Sequence, residues 1–300
     1  MKHIFEAKPF QENLEPDLRS GSGKASGPAP EKTGSVLEAL RRRIATQERL
    51  IPTPRPSLKL GLEALDAALP GSGLKTGALH EILPATHGDV AAGLGFGICL
   101  LARLVRQRPG PILWAAPTHL ENSQGALYPP GLAALGLDPN RLIRIEVRKP
   151  IDVLWALEEG LSHAPLAAAV GILPDNARAY DFAASRRLGL RAARQGVTAF
   201  VMRGRQASAE TTAAETRWSV ASLPAVTHFS GRSGPGAPRW RLALLKCRQG
   251  ISRRSSKGWD VEWDHETLSF RLSAPLADRT AAPTRARTQD TGQRTWAEAS

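Results

Sequence analysis

The chain has 300 residues, 42% of them apolar, enough for one substantial core. Forty Lys and Arg against 28 Asp and Glu leave a net charge of +12, a balance that suits a phosphate backbone as partner. No unbroken apolar run reaches the roughly 18 residues of a membrane span, and the first residues carry Glu6 without an apolar leader core. Only Cys99 and Cys247 occur, each in an apolar run, and no C-x-x-C or H-x-x-x-H pair exists. Buried free thiols in a reducing cytoplasmic setting are therefore expected, with no disulfide framework, zinc site or membrane contact.

Residues 1–33 are rich in Gly, Ser, Pro, Lys and Glu and predict a disordered segment. Residues 34–56 predict a helix and an extended linker behind it. Ser35 and Glu38 have capping-box spacing, Leu37, Leu40, Ile44 and Leu50 recur at helical spacing among Arg41, Arg42, Arg43 and Arg49, and Pro52, Pro54 and Pro56 stiffen the linker. The narrow stripe of Leu37, Leu40 and Ile44 either docks on a partner or folds back on the chain's own core.

The core is expected over residues 57–272. Residues 58–79 place Gly61, Leu65 and Asp66 on a short helix and Gly71, Gly73 and Leu74 in a turn, with Gly77 opening a strand over 78–83. The loop behind that strand reads Pro84-Ala85-Thr86-His87-Gly88-Asp89-Val90 and leads into an apolar helix. A working phosphate loop, G-x-x-x-x-G-K-[ST], needs glycines for close backbone approach, a lysine for the phosphates and a hydroxyl for Mg²⁺. Gly88 keeps the last glycine, but Leu83 replaces the first, Asp89 stands for the lysine and Val90 for the hydroxyl residue. An aspartate repels a triphosphate and valine offers a metal no oxygen, so no nucleotide cofactor and no metal are expected.

Downstream, strands are predicted at 111–116, 138–145, 167–173 and 198–203, alternating with helices at 132–137, 151–161 and 181–194. Residues 239–247, 258–264 and 267–272 then read as an antiparallel meander, and 273–300 as a disordered tail. Two acid-free stretches stand out. Residues 185–208 carry Arg186, Arg187, Arg191, Arg194, Arg203 and Arg205, and residues 231–257 carry eight basic residues, among them Arg239, Arg241, Lys246, Arg248, Arg253, Arg254 and Lys257. The candidate DNA-binding set is Arg186, Arg187, Arg191, Arg194, Arg241, Lys246, Arg248, Arg253, Arg254 and Lys257, with Trp240 and Trp259 available to stack on unpaired bases. Trp240, Leu242 and Leu244 also alternate as a strand with Trp inside.

In order and spacing, residues 55–230 resemble RecA-like recombinases, which implies an α/β P-loop fold with a mainly parallel sheet flanked by helices and an antiparallel C-terminal extension. On that resemblance the water-orienting glutamate falls at or beside Pro117 and the metal-associated aspartate at Gly171, so both are lost. The first DNA-binding loop, after residue 173, is short, and the second, at 204–215, is short and weakly basic. A RecA-like chain so degenerate resembles the ImuA family of inducible-mutagenesis accessory proteins. The resemblance implies a non-catalytic scaffold beside an inactive Y-family-like polymerase of the ImuB type, an error-prone replicative-type polymerase α subunit and the sliding clamp, with RecA a further candidate partner. The competing readings are an ATP-dependent DNA repair ATPase and an SOS cell-division inhibitor.

Overall fold

A computed structural model describes residues 57–120, 125–175, 177–205, 210–225, 236–248 and 258–273. The expected helix with Leu37, Leu40 and Ile44, both tails, and Arg253, Arg254 and Lys257 lie outside these residues.

The described residues form a mixed α/β structure around one sheet of nine strands, in the order β3-β2-β4-β5-β1-β6-β7-β8-β9. Strands β1 (Leu79–Pro84), β2 (Ile112–Pro117), β3 (Leu142–Val147), β4 (Ala168–Ile172), β5 (Thr198–Met202) and β6 (Thr216–Leu223) run parallel. Strands β7 (Arg239–Cys247), β8 (Trp259–Asp264) and β9 (Ser269–Leu272) close the sheet as an antiparallel meander.

The local chemistry explains the division. β1, β2, β4 and β5 are buried along their whole length, as parallel strands covered on both faces must be. The helices α1 (Glu63–Asp66), α2 (Val90–Gln107), α3 (Pro129–Ala134), α4 (Pro150–Gly160) and α5 (Phe182–Gln195) carry the crossovers or precede them. α4 opens on Pro150 at its first turn, and α5 is capped by Asp181, whose carboxylate accepts from the Ala184 amide at 2.7 Å. Asp66 on α1 accepts from the Leu60 and Gly61 amides at 2.7 and 3.1 Å, which fixes the segment ahead of β1.

One face of the sheet is covered by α2. Phe96 of that helix meets Trp218, Trp240 and Phe270, which with Trp259 and Trp263 make an aromatic cluster over β6 to β9. The other face buries Leu113, Ala169, Ala199 and Val201 under Val153 and Leu157 of α4 and Leu188 and Ala192 of α5. Cys99 and Cys247 are free thiols in the core.

Three expectations change. β6 had no counterpart in the sequence pattern, because Thr216 and Arg217 open it with polar side chains that are both buried. Trp259 is buried, so it is not presented to a base, whereas Trp240 is buried within its strand as the alternation with Leu242 and Leu244 predicts. Arg203 and Arg239, counted with the basic stretches, are buried as well. The span His87–Gln107 is long and apolar enough to cross a membrane by composition, but it packs as the core helix against β1 and β6.

Candidate functional site

β1 ends at the centre of the sheet and hands the chain to α2 through residues 85–89. The turn His87–Asp89 is a tight 3₁₀ helix. Asp89, which the sequence pattern sets where a phosphate loop would carry its lysine, is buried. One carboxylate oxygen accepts from the Thr86 amide at 3.0 Å and the Thr86 hydroxyl at 2.6 Å. The other accepts from the Ser222 amide at 2.8 Å and the Ser222 hydroxyl at 2.7 Å. Burial pushes this carboxyl up, but the bonds from Ser222 and Thr86 outweigh it and hold the group below its usual value of 3.8. Asp89 is thus an internal anion that occupies donors of its own loop.

Two further amides and one carbonyl of the loop are also engaged. The Ala85 amide donates to Val220 O at 2.8 Å, the Asp89 amide to Thr86 O at 3.1 Å, and Arg205 Nε to Ala85 O at 3.1 Å. A phosphate cradle needs these N–H groups converging on an empty centre, whereas here they close on the protein. Val90 begins α2 and faces a cavity of about 290 Å³ at the C-terminal ends of β1, β4 and β5, walled by Leu94, Leu120, Ile172 and Met202 and rimmed by His87 and Asp175. His87 is exposed, with its Nδ1 3.9 Å from Asp175 Oδ2.

The two other positions read as lost chemistry are closed by packing. Pro117 ends β2 with its side chain buried. A Cβ at Gly171 would lie 2.6 Å from Leu157 Cδ1 and 3.0 Å from Val153 Cγ1, so a carboxylate there would have to displace the tips of two apolar side chains of α4. Among the described residues no group of three His, Cys, Asp or Glu side chains is placed to hold a metal.

Beside the loop lies a buried polar network that no motif announced. Glu81 of β1 is fully buried and accepts from Tyr180 Oη and Thr212 Oγ1, both at 2.6 Å, and from Arg217 Nε at 2.5 Å. Arg217 also donates to Glu210 O at 2.7 Å, and Arg203 Nη1 to the Glu210 carboxylate at 2.6 Å, with the Arg203 guanidinium 4.8 Å above the Tyr180 ring. Lys246 donates to Thr212 O, and the Ala213 amide to Ser185 Oγ at 2.9 Å. Residues 210–215, the described end of the segment 204–215 expected as the second DNA-binding loop, are pinned from β1, β6, β7 and α5 and by Arg203 just beyond β5. Burial and the adjacent Glu81 push the Tyr180 phenol well above its ordinary value. His80 was also unmarked. It is fully buried, its Nε2 donates to Lys75 O and its Nδ1 accepts from Thr216 Oγ1, both at 2.8 Å, and burial lowers its pKa to about 4.

The candidate DNA-binding residues fall into two groups on opposite sides of the sheet order. On α5, Arg186, Arg187 and Arg194 are exposed and Arg191 half-buried. Glu158 of α4 takes Arg187 at 3.1 Å and Arg191 at 3.3 Å, so an acid absent from the local sequence neutralises part of that face. On β7, Arg241 is held by Asp260 through two bonds of 2.7 and 2.8 Å, Lys246 is half-buried and Arg248 is exposed.

No protein-family model matches the chain. Protein ImuA of Caulobacter vibrioides, from strain NA1000 / CB15N and from strain ATCC 19089 / CIP 103742 / CB 15, is 32% identical over an alignment of 251 positions, covering 77% of this chain and 94% of each relative. The chain belongs to the ImuA family. The Asp89 hydrogen bonds to Thr86 and Ser222 are therefore a feature of an ImuA-family protein.

Proposed function

We propose that this ImuA-family chain is a non-catalytic, RecA-like scaffold of an SOS-induced, error-prone translesion complex, acting in DNA damage tolerance and induced mutagenesis. Its partners in this reading are an inactive Y-family-like polymerase and an error-prone replicative-type α subunit, with the sliding clamp and RecA as further contacts. The strand, loop and helix at the centre of a mainly parallel sheet support the RecA-like reading, since open α/β sheets place ligand sites at the C-terminal ends of their strands. The observation that carries the non-catalytic reading is Asp89. A phosphate loop whose lysine is replaced by a buried carboxylate, four times hydrogen-bonded to Thr86 and Ser222, opposes a triphosphate by charge and by occupied donors. A repair ATPase would also need a metal carboxylate, and Gly171, the position the resemblance assigns to it, carries no side chain and faces Leu157 and Val153.

Calorimetry of the full chain with ATP and Mg²⁺ tests this directly, and no binding heat is expected. Micromolar binding that disappears on replacing Gly88 would overturn the scaffold reading in favour of an ATPase. Capture of the ImuB-type polymerase by the full chain, unaffected by ATP or ADP, is the positive counterpart.

A further inference from the structure

We infer that this chain forms a two-fold symmetric dimer by antiparallel pairing of the edge strand β3 with β3 of a second copy. Among the described residues β3 is the terminal strand of the sheet and pairs only with β2, in an uninterrupted register from Ile112–Leu142 to Pro117–Val147. Edge strands are usually blunted by proline, by a bulge or by charge, and β3, Leu-Ile-Arg-Ile-Glu-Val, has no proline or bulge and carries its two charges, Arg144 and Glu146, with opposite sign. Its side chains alternate. Ile145 and Val147 pack toward the face covered by α4 and α5, with Ile143 on the same side by parity and 47% exposed. Above that side α4 presents Ile151 and Trp155, 50% and 68% exposed. The opposite side of the strand carries Arg144 and Glu146, 3.1 Å apart.

The sequence of β3 is self-complementary in one register. With Ile145 opposite its own copy, Arg144 of each chain faces Glu146 of the other, and Ile143 faces Val147. A slip of two residues in one direction sets Arg144 against Arg144, and in the other Glu146 against Glu146. A slip of one residue opposes apolar and charged side chains. Only the centred register satisfies charge and hydrophobicity together, which is the condition for an isologous contact. The pairing extends the sheet across the axis, and the Ile151 and Trp155 faces of the two α4 helices flank it on one side.

The test is charge exchange, read as mass by size exclusion with light scattering on the full chain. The wild type runs as a dimer. Arg144→Glu and Glu146→Arg each run as monomers, because each sets like charges across the axis twice. Mixing the two single variants in equal amounts restores a dimer, since each then supplies what the other lacks, and so does the double exchange within one chain. Circular dichroism confirms that every variant is folded. Independently, Ile145→Cys cross-links to itself under mild thiol oxidation, because residues opposed in an antiparallel pair lie within about 4.5 to 5.5 Å at Cα, inside disulfide range. The wild type, with Cys99 and Cys247 buried, does not cross-link. A monomeric wild type, a dimer that survives both single substitutions, or singles that fail to recombine would each overturn the inference.

Discussion

The Asp89 carboxylate accepts both the backbone amide and the hydroxyl of Ser222, a residue 133 positions along the chain. This ties the loop between β1 and α2 to β6 through a tertiary contact. Asp89→Asn puts an N–H₂ where one of the Thr86 or Ser222 donor pairs needs an acceptor, so the substitution is expected to destabilise the fold by about 2 kcal/mol at neutral pH. The sign with pH comes from the lowered pKa: the ionised group stabilises the fold above the unfolded value of 3.8, and that contribution is lost as pH falls through the lower folded value. Urea unfolding of both proteins should show a gap at neutral pH that closes in strong acid. A constant gap would mean that charge plays no part.

His80 sets a second acid limit. Its folded pKa of about 4 lies below the ordinary 6.5, so the neutral ring stabilises the fold above pH 6.5 and that contribution is lost as pH falls toward 4. Between pH 7 and pH 5 the loss amounts to roughly 2 kcal/mol. His80→Gln, which keeps a donor and an acceptor but does not titrate there, should flatten stability over this range. An unchanged slope in chemical denaturation would assign acid sensitivity elsewhere.

Glu81 and Arg217 form a buried pair whose value lies in what it holds. Removing one partner leaves a buried charge, so Arg217→Met should cost about 3 to 5 kcal/mol, while the double change to Glu81→Leu and Arg217→Met should cost less than the sum of the singles. Because Thr212 and Glu210 hang on the same pair, hydrogen exchange at the Ala213 and Ala214 amides should accelerate in the single variant. Protection unchanged there would show that the 210–215 segment is held without Arg217, by contacts such as those from Ser185, Lys246 and Arg203.

How much of this was legible in the sequence depended on whether the signal was local. The strands at 111–116, 167–173 and 198–203 are mostly apolar runs between turn residues, the one at 78–83 is apolar around His80 and Glu81, and each lies within one or two positions of its place in the sheet. That residues 84–90 join a central strand to an apolar helix is visible in the loop itself. What Asp89 does there is not, because Ser222 comes from a strand whose Thr216 and Arg217 disguise it and whose pairing with Glu81 exists only after folding. The arginines show the same limit. Counting charge along the chain marks Arg241 and Arg187 as free cations, but Asp260 and Glu158 reach them from other elements.

Those ion pairs lead to an expected order of effects on DNA binding. Counterion release should give weak, sequence-independent affinity that falls steeply with salt, carried by the α5 face and by the β7 end. Arg241 is held by Asp260 through two charge-assisted bonds, which lower the Asp260 pKa and raise that of Arg241, so part of its charge is already spent on the protein. Arg241→Ala should therefore change affinity little, whereas Asp260→Asn, which removes the competing anion, should strengthen binding at low salt and steepen the salt dependence. Arg186→Glu, on the exposed face of α5, should weaken it. Fluorescence anisotropy with a labelled single strand at several salt concentrations measures all three. Affinity independent of salt, or a strong preference for one base sequence, would refute a phosphate-backbone contact, and a larger loss at Arg241 than at Arg186 would place the contact on β7 instead of α5.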